Sequence, residues 1–574
     1  MHCRCGGAQG SGFESQQPTV IPMKFTGSIN NPEQRVAYFG EDIGMNSHHS
    51  HWHMDFPFWW KKDYSGDKDR KGELFFYMHH QMVARFDAER LSNNLPVVAP
   101  LDFDERIVEG FAPGAMYDNG QEFPVRPDGV MFRDLPWRTI HEMKLYEGRI
   151  RDAIAAGFIR SYDGVAHLNN SRGINLLGEI VESSEHSLNR EYYGQLHNDA
   201  HVLLSKVTDP QLKFGVPPGV MEHFETATRD PAFFRLHKTI DNLFKLHKDL
   251  LSPYTREQLD FPGVRVEAIK VVGLSKASTP NTLITYFDES HIDMANAVEG
   301  SGTSGVDIRM QASGAARTGQ VLVARLDDPT AGQVVLLGVI SRCCKASCKA
   351  TPRRITTAAA NRTCIHVIPG RYTRLRGTAL IGHERVSRYP YSARITAAGC
   401  AVVSRLNHEP FKYVLTINSA RQTTGVARIF LSPKYDWFGK QIPYNTLRWG
   451  VIELDRFPIS LTVGDNVISR NSEDSVVTIA EPRSFPELLK DVQEALKGND
   501  EFVVDKVSPP PPALLPAVLR IVDERFYVCW QQLRHCGFPH RLLLPKGKPE
   551  GMTYRLLVTI TDFQQDVVST QPTD

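Results

Sequence analysis

Two pairs of histidines stand four residues apart in this 574-residue chain, His49 with His53 and His197 with His201. On a helix that spacing puts both rings on one face, within reach of a single metal ion. With 21 histidines in the chain, one such spacing is expected by chance, so neither pair alone carries much. The weight lies in a third histidine after each pair, on the apolar side of a later helical segment. His79 has Phe75 and Val83 one turn away on either side, and His237 lies between Phe233 and Ile240. This repeated two-plus-one arrangement supplies three imidazoles to each of two metal ions. All-imidazole sets suit copper, zinc, iron or nickel and disfavour magnesium and calcium. A zinc protease would place glutamate directly after the first histidine, as in HExxH, but Ser50 and Asn198 stand there. Three neutral imidazoles without a carboxylate stabilise Cu(I) and tolerate Cu(II). Among the neighbours in SHHSHWH, only His49 and His53 are four apart, so His48 and His51 point elsewhere. His79 is preferred to His80 because it shares a side with Phe75 and Val83.

Helices must position these residues, and the first half of the chain reads that way. In Asp230–Lys248, Asp230 is a candidate N-cap and Pro231 suits the first helical position. Phe233, Leu236, Ile240, Leu243 and Phe244 then recur at helical spacing. Glu73–Arg90 behaves similarly. From about residue 265 the texture changes to short β-branched runs such as VEAIKVVGL, YVLTINSA and WGVIELDRFPISLTVG, broken by turn residues. The expected fold class is α+β: an all-α metal-binding bundle followed by an antiparallel β-sandwich. The expected boundaries are a disordered segment at 1–20, a helical domain at 21–264 and a β-rich domain at 265–574. Two stretches of the latter read as irregular insertions. Residues 341–400 hold twelve Lys or Arg against the single acid Glu384, with five cysteines, and 508–535 opens with Ser508 and four prolines. A nucleic-acid arm is the competing reading of the first, and insertion is preferred.

The bulk numbers exclude several classes. A net charge of +1 argues against nucleic acid as the main partner, and there is no apolar run long enough to span a membrane. The 9 cysteines give no CxxC…CxxC spacing, which argues against a zinc ribbon. The opening MHCRCGGAQGSG has no apolar core, so it does not read as a signal peptide.

Longer strings narrow the reading. FGEDIGMNSHHSHWHMDFPFWW, GELFFYMHHQMVARFDAERLSNNLP, LHNDAHVLL and GVMEHFETATRDPAFFRLHKTIDNLFKLHKD resemble the copper-A and copper-B regions of arthropod, crustacean-type hemocyanins. The likeness runs from about Phe25 to Leu337 and resumes near Ser404 in SRLNHEPFKY, VARIFLSPK, RWGVIELDRF and CGFPHRLLLPKGKPEG. The resemblance implies a type-3 site of two copper ions, copper A on His49, His53 and His79, copper B on His197, His201 and His237. The family pattern also puts the ligand first in HHQ. It implies reversible binding of dioxygen, held as bridging peroxide between two Cu(II), within an apolar shell from Trp52, Phe75, Phe233 and Phe244. It further implies an immunoglobulin-like C-terminal domain, secretion into hemolymph, and assembly with homologous subunits as hexamers or multiples. By resemblance the chain begins at the second of the family's three parts. The competing readings are a phenoloxidase using the same six histidines and a copper-free storage protein. For the phenoloxidase, Glu225 is the candidate base near copper B, against an ordinary salt-bridge role. The DFPFWW string favours the carriers, and six intact histidines argue against storage.

Overall fold

The computed structural model describes residues 19–26, 31–65, 68–117, 119–274, 279–293, 322–324, 336–338, 399–481 and 537–566. Among the described residues, the six helices of ten or more residues carry the first half: α1 (Ile43–Asp55), α2 (Lys71–Ser92), α3 (Ile140–Ala156), α4 (Gly173–Glu182), α5 (Leu196–Ser205) and α6 (Pro231–Leu250). Asp42 caps α1, accepting from the amides of Gly44 at 2.8 Å and Met45 at 3.2 Å. Asp230 caps α6 through the Ala232 amide at 2.8 Å, with Pro231 at the first helical position, as the sequence suggested. A reciprocal capping box of Thr139 and Glu142 starts α3. Helices α2 and α4 approach closely enough that a Cβ on Gly178 would lie 2.0 Å from the Gly72 carbonyl oxygen. Only glycine permits that crossing, which brings α2 and its histidine deep into the bundle. The helical core is one cluster, with Phe75, Phe86, Phe233, Phe234 and Phe244 each 1% exposed or less.

The second half is built from strands. After β1 (Thr19–Met23) come β2 (Val264–Gly273), β3 (Thr285–Asp293), β4 (Gly399–His408) and β5 (Phe411–Ser419). They are followed by β6 (Thr423–Pro433), β7 (Ile452–Leu461), β8 (Gly464–Asn471) and β9 (Tyr554–Asp562). Three three-stranded sheets form, in the orders β8-β5-β2, β7-β6-β9 and β1-β4-β3. Strand β5 alternates strictly, burying Phe411, Tyr413, Leu415 and Ile417. These side chains meet Ala427, Ile429 and Leu431 of β6 in a second core, the period-2 pattern expected of a half-buried strand. Chain order therefore gives the expected α+β architecture.

Three details differ from the sequence reading. The pairing is not purely antiparallel: β1 runs parallel to β4, with Thr19 opposite Gly399. Thr19 and Val20 thus belong to a strand, although composition set 1–20 apart, and that strand joins the β-half rather than the helices. Gly399 and Cys400 open β4, so a regular element begins inside the stretch read as insertion. The expectations for residues 1–18, for 341–398 and for 508–535 fall outside the described residues.

The two halves are joined by buried polar contacts. Arg85 on α2 donates to the carbonyls of Glu453 at 2.6 Å, Leu543 at 3.0 Å and Leu542 at 3.2 Å. Arg405 on β4 pairs with the α1 cap Asp42 at 2.8 Å. Ala84 and Ala88 on the same helix as Arg85 belong to the sandwich core, because small side chains let the strands approach.

Candidate metal centre

The structure brings the six histidines into one place. His49 and His53 lie on α1, His79 on α2, His197 and His201 on α5, and His237 on α6. Ring centroids are 4.7 Å apart for His49–His53 and 5.5 Å from each of these to His79. In the other set they are 4.7 Å for His197–His201, 5.2 Å for His197–His237 and 5.6 Å for His201–His237. The two sets face each other most closely where His79 stacks on His237, 4.2 Å apart and 6° from parallel. Ligand atoms cluster within 4.8 Å in two groups, His49/His53/His79 and His79/His197/His237. His79 thus reaches both groups, whereas the His201 ring sits slightly back, outside the second.

Backbone carbonyls orient the rings. The Nδ1–H groups of His49, His79 and His201 donate to the carbonyls of Phe224, Phe75 and Met221, each at 2.8 Å. His197 donates Nδ1–H to the side-chain oxygen of Asn198 at 2.9 Å. A neutral imidazole that donates from Nδ1 presents a bare Nε2 lone pair. The Nε2 atoms of His79, His197, His201 and His237 are buried with no protein partner. His53 and His49 instead meet Nε2 to Nε2 at 3.1 Å. Buried polar atoms without partners are costly, and aimed at one another they fit a metal ion that each would ligate.

Burial also keeps the rings neutral. Desolvation pushes His49 down to about 3 and His201 to about 4, and drives His53, His79, His197 and His237 well below the ordinary 6.5. Mutual repulsion among the rings adds to this for all but His201. Protons therefore do not compete with metal near neutrality. These groups keep depressed values only when folded, so the unfolded chain takes up protons first as pH falls below 6.5. Each histidine then removes up to about 1.4 kcal/mol of stability per pH unit until its folded value is reached. The buried carboxyl of Glu89, raised to about 7 by desolvation, and that of Glu182, also raised by burial, oppose this but are fewer. The metal-free protein is expected to lose stability steeply from pH 6.5 to 5, and His237→Gln should flatten that slope. Denaturant midpoints across the pH series check it; equal slopes in the two proteins would contradict it.

Two histidines next to the ligand candidates are turned elsewhere. His80 pairs through Nδ1 with Asp241 of α6 at 2.7 Å. His48 packs edge-on against Phe538, centroids 5.7 Å apart. Of the expected apolar shell, Phe75 lies 4.5 Å from His79, Phe233 4.2 Å from His237 and Trp52 5.0 Å from His53. Phe244 is a correction: it stacks on Phe76 at 4.2 Å rather than on a ligand ring. Its helical periodicity made it a core residue, and periodicity does not say which part of the core. Phe224 takes its place, stacked on His53 at 4.4 Å and 9°. The sequence reading missed it because it lies between two short 3-10 turns, with no periodicity to mark it. Glu225, the candidate base, is half-buried beside it and has no hydrogen bond or ion pair among the described residues.

Helices that converge six imidazoles, joined to a β-sandwich, define a protein of the dinuclear metal class. Comparison with known families and proteins narrows this. A family model described as "Hemocyanin, copper containing domain" matches residues 4–244, and one described as "Hemocyanin, ig-like domain" matches 253–318 and 397–574. A hemocyanin of Palinurus vulgaris is 39% identical over 548 residues, covering 95% of this chain and 65% of that protein. A scorpion hemocyanin structure superposes with a TM-score of 0.69 at 31% identity, over 97% of this chain and 69% of that one. A crustacean hemolymph-type prophenoloxidase shares the fold, with a TM-score of 0.66 at 24% identity over 95% of this chain and 65% of that one. The chain belongs to the hemocyanin family. It spans about two thirds of the length of the curated relatives it matches. The cofactor of such a domain is a pair of copper ions, and the imidazole donors here suit it.

Proposed function

We propose that the protein binds dioxygen reversibly between two copper ions, with His49, His53 and His79 holding copper A and His197, His201 and His237 holding copper B. The observation that carries this is the set of buried Nε2 atoms without protein partners, facing one another across the bundle. When bound, copper supplies reversible one-electron exchange between Cu(I) and Cu(II), the chemistry that dioxygen uptake needs. The chain's own residues do the rest. Carbonyls of Phe75, Met221 and Phe224 fix ring orientation, as partners of ligand histidines generally do. Phe75, Phe233 and Trp52 exclude water, so no protons reach the bound gas and release can reverse uptake. The same reading assigns the domains as 21–264 for copper binding and 265–574 for the β-domain. It makes the working protein an extracellular, hemolymph component assembled with homologous subunits, as hexamers or multiples. No helix of the described residues is long and apolar enough to cross a membrane.

A second reading, phenol oxidation at the same site, is favoured by one observation. Glu225 is a half-buried carboxylate next to Phe224, unpaired among the described residues and free to accept a phenolic proton. One experiment separates the two. The copper-loaded protein is cycled between air and argon while absorbance is followed, then mixed with a catechol. The carrier reading expects an oxygen-dependent near-ultraviolet band that disappears under argon and returns in air, with no quinone formed. Quinone formation without detergent or protease would make the enzyme reading primary, and less than about one copper per chain would refute both.

A further inference from the structure

One short strap, residues 219–226, touches both halves of the proposed dicopper site. Its Met221 carbonyl holds His201, and its Phe224 carbonyl holds His49. Its Phe224 ring also covers His53. The strap is too irregular to set these positions by itself, since it holds one 3-10 turn at Val220–Glu222 and then only bend and turn residues up to the next 3-10 turn at Ala227–Arg229. A hairpin outside the bundle supplies the missing rigidity. Residues 111–117 and 119–126 run back along each other, with paired backbone bonds between Phe111 and Arg126 at 2.8 and 2.9 Å. The hairpin builds its own small apolar cluster, and Val220 of the strap is buried in it, 3% exposed. Tyr117 of the hairpin donates its hydroxyl hydrogen to the Pro218 carbonyl at 2.6 Å. Its oxygen is then left to accept from His223 Nε2–H at 3.0 Å. That clasp holds the chain at Pro218, just before the strap, and at His223, between the two carbonyls that hold His201 and His49.

We infer that Tyr117 and His223 are positioning residues for the dicopper site: their clasp fixes the strap, and the strap sets His49 and His201 relative to each other. This rests on the copper reading above. The effect passes through the Met221 and Phe224 carbonyls, which hold the ligand rings. Loss of a ligand's outer partner typically weakens metal binding by about 10–100-fold, and the clasp acts one step further out.

The test uses the full chain with Tyr117→Phe, His223→Leu and His223→Gln. Tyr117→Phe keeps the ring stacked on Phe123 and removes the hydroxyl. His223→Gln keeps an N–H donor near the place of Nε2. The expected result is that Tyr117→Phe and His223→Leu still load two coppers but lose them to a chelator about tenfold faster. His223→Gln should recover most of the wild-type rate. Hydrogen exchange on metal-free protein gives a second readout that needs no copper. Amides of 219–226 should exchange faster in the first two variants, with α1 and α5 unchanged and the thermal midpoint kept. Unchanged exchange in the strap would overturn the inference. So would wild-type copper loss in Tyr117→Phe, or a general loss of stability matching the faster loss. If the wild type takes up no copper, the copper reading fails instead, and exchange alone decides whether the clasp holds the strap.

Discussion

Replacing His201 with alanine is expected to halve the bound copper and abolish oxygen binding. The residue is the sharpest point at which to test the ligand set, because its Nε2 lies outside the tightest group of donor atoms. Its orientation argues that it is nevertheless a ligand. The Nδ1–H is committed to the Met221 carbonyl, and Nε2 is buried with no partner beside His197 and His237. Removing one of three imidazoles should weaken copper B by more than the roughly 10–100-fold that loss of an outer partner costs. Copper A should stay filled, so elemental analysis should return about one ion per chain. The oxygen-dependent near-ultraviolet band needs both ions and should vanish. Survival of that band with two coppers bound would mean that His79 serves the second ion and that the assignment is wrong. His79→Ala is the complementary case, expected to empty copper A and leave copper B.

The second large effect is expected at Asp42, through folding rather than chemistry. Its carboxylate does two jobs at 1% exposure. It caps the helix that carries His49 and His53, and it neutralises the Arg405 guanidinium of β4 at 2.8 and 3.1 Å. Among the described residues, Asp42→Ala leaves the buried Arg405 with one charged partner, the half-exposed Glu481 at 2.9 Å, and the Ser290 hydroxyl at 3.3 Å. Breaking a buried pair by removing one partner costs about 3–5 kcal/mol, and the lost cap adds about 1 kcal/mol. Asp42→Asn should recover the cap alone. Asp42→Ala with Arg405→Met should recover most of the rest, because no buried charge is then left unpaired. Denaturant midpoints of the metal-free proteins measure this. A drop below about 1 kcal/mol for Asp42→Ala would show that the two halves do not depend on the contact.

The sequence by itself determined the parts that repeat with a physical period. Spacing of four chose His49 with His53 and His197 with His201, because residues one helical turn apart carry their rings on one face. The apolar stripe chose His79 over His80, and the structure turns His79 inward and His80 to Asp241. Asp230 and Pro231 announced the start of α6, since capping chemistry is local. Strand alternation at 411–419 announced a half-buried sheet for the same reason. Tertiary structure alone decided what depends on carbonyls and on distant residues. The Phe75, Met221 and Phe224 carbonyls that aim three rings belong to the backbone, which is the same at every residue and leaves no mark in composition. Phe224 over His53 and Arg405 under Asp42 join positions 171 and 363 residues apart, beyond the reach of any local period. Phe244 shows the limit from the other side: its spacing put it in the core, but only packing could place it against Phe76 rather than against the histidines.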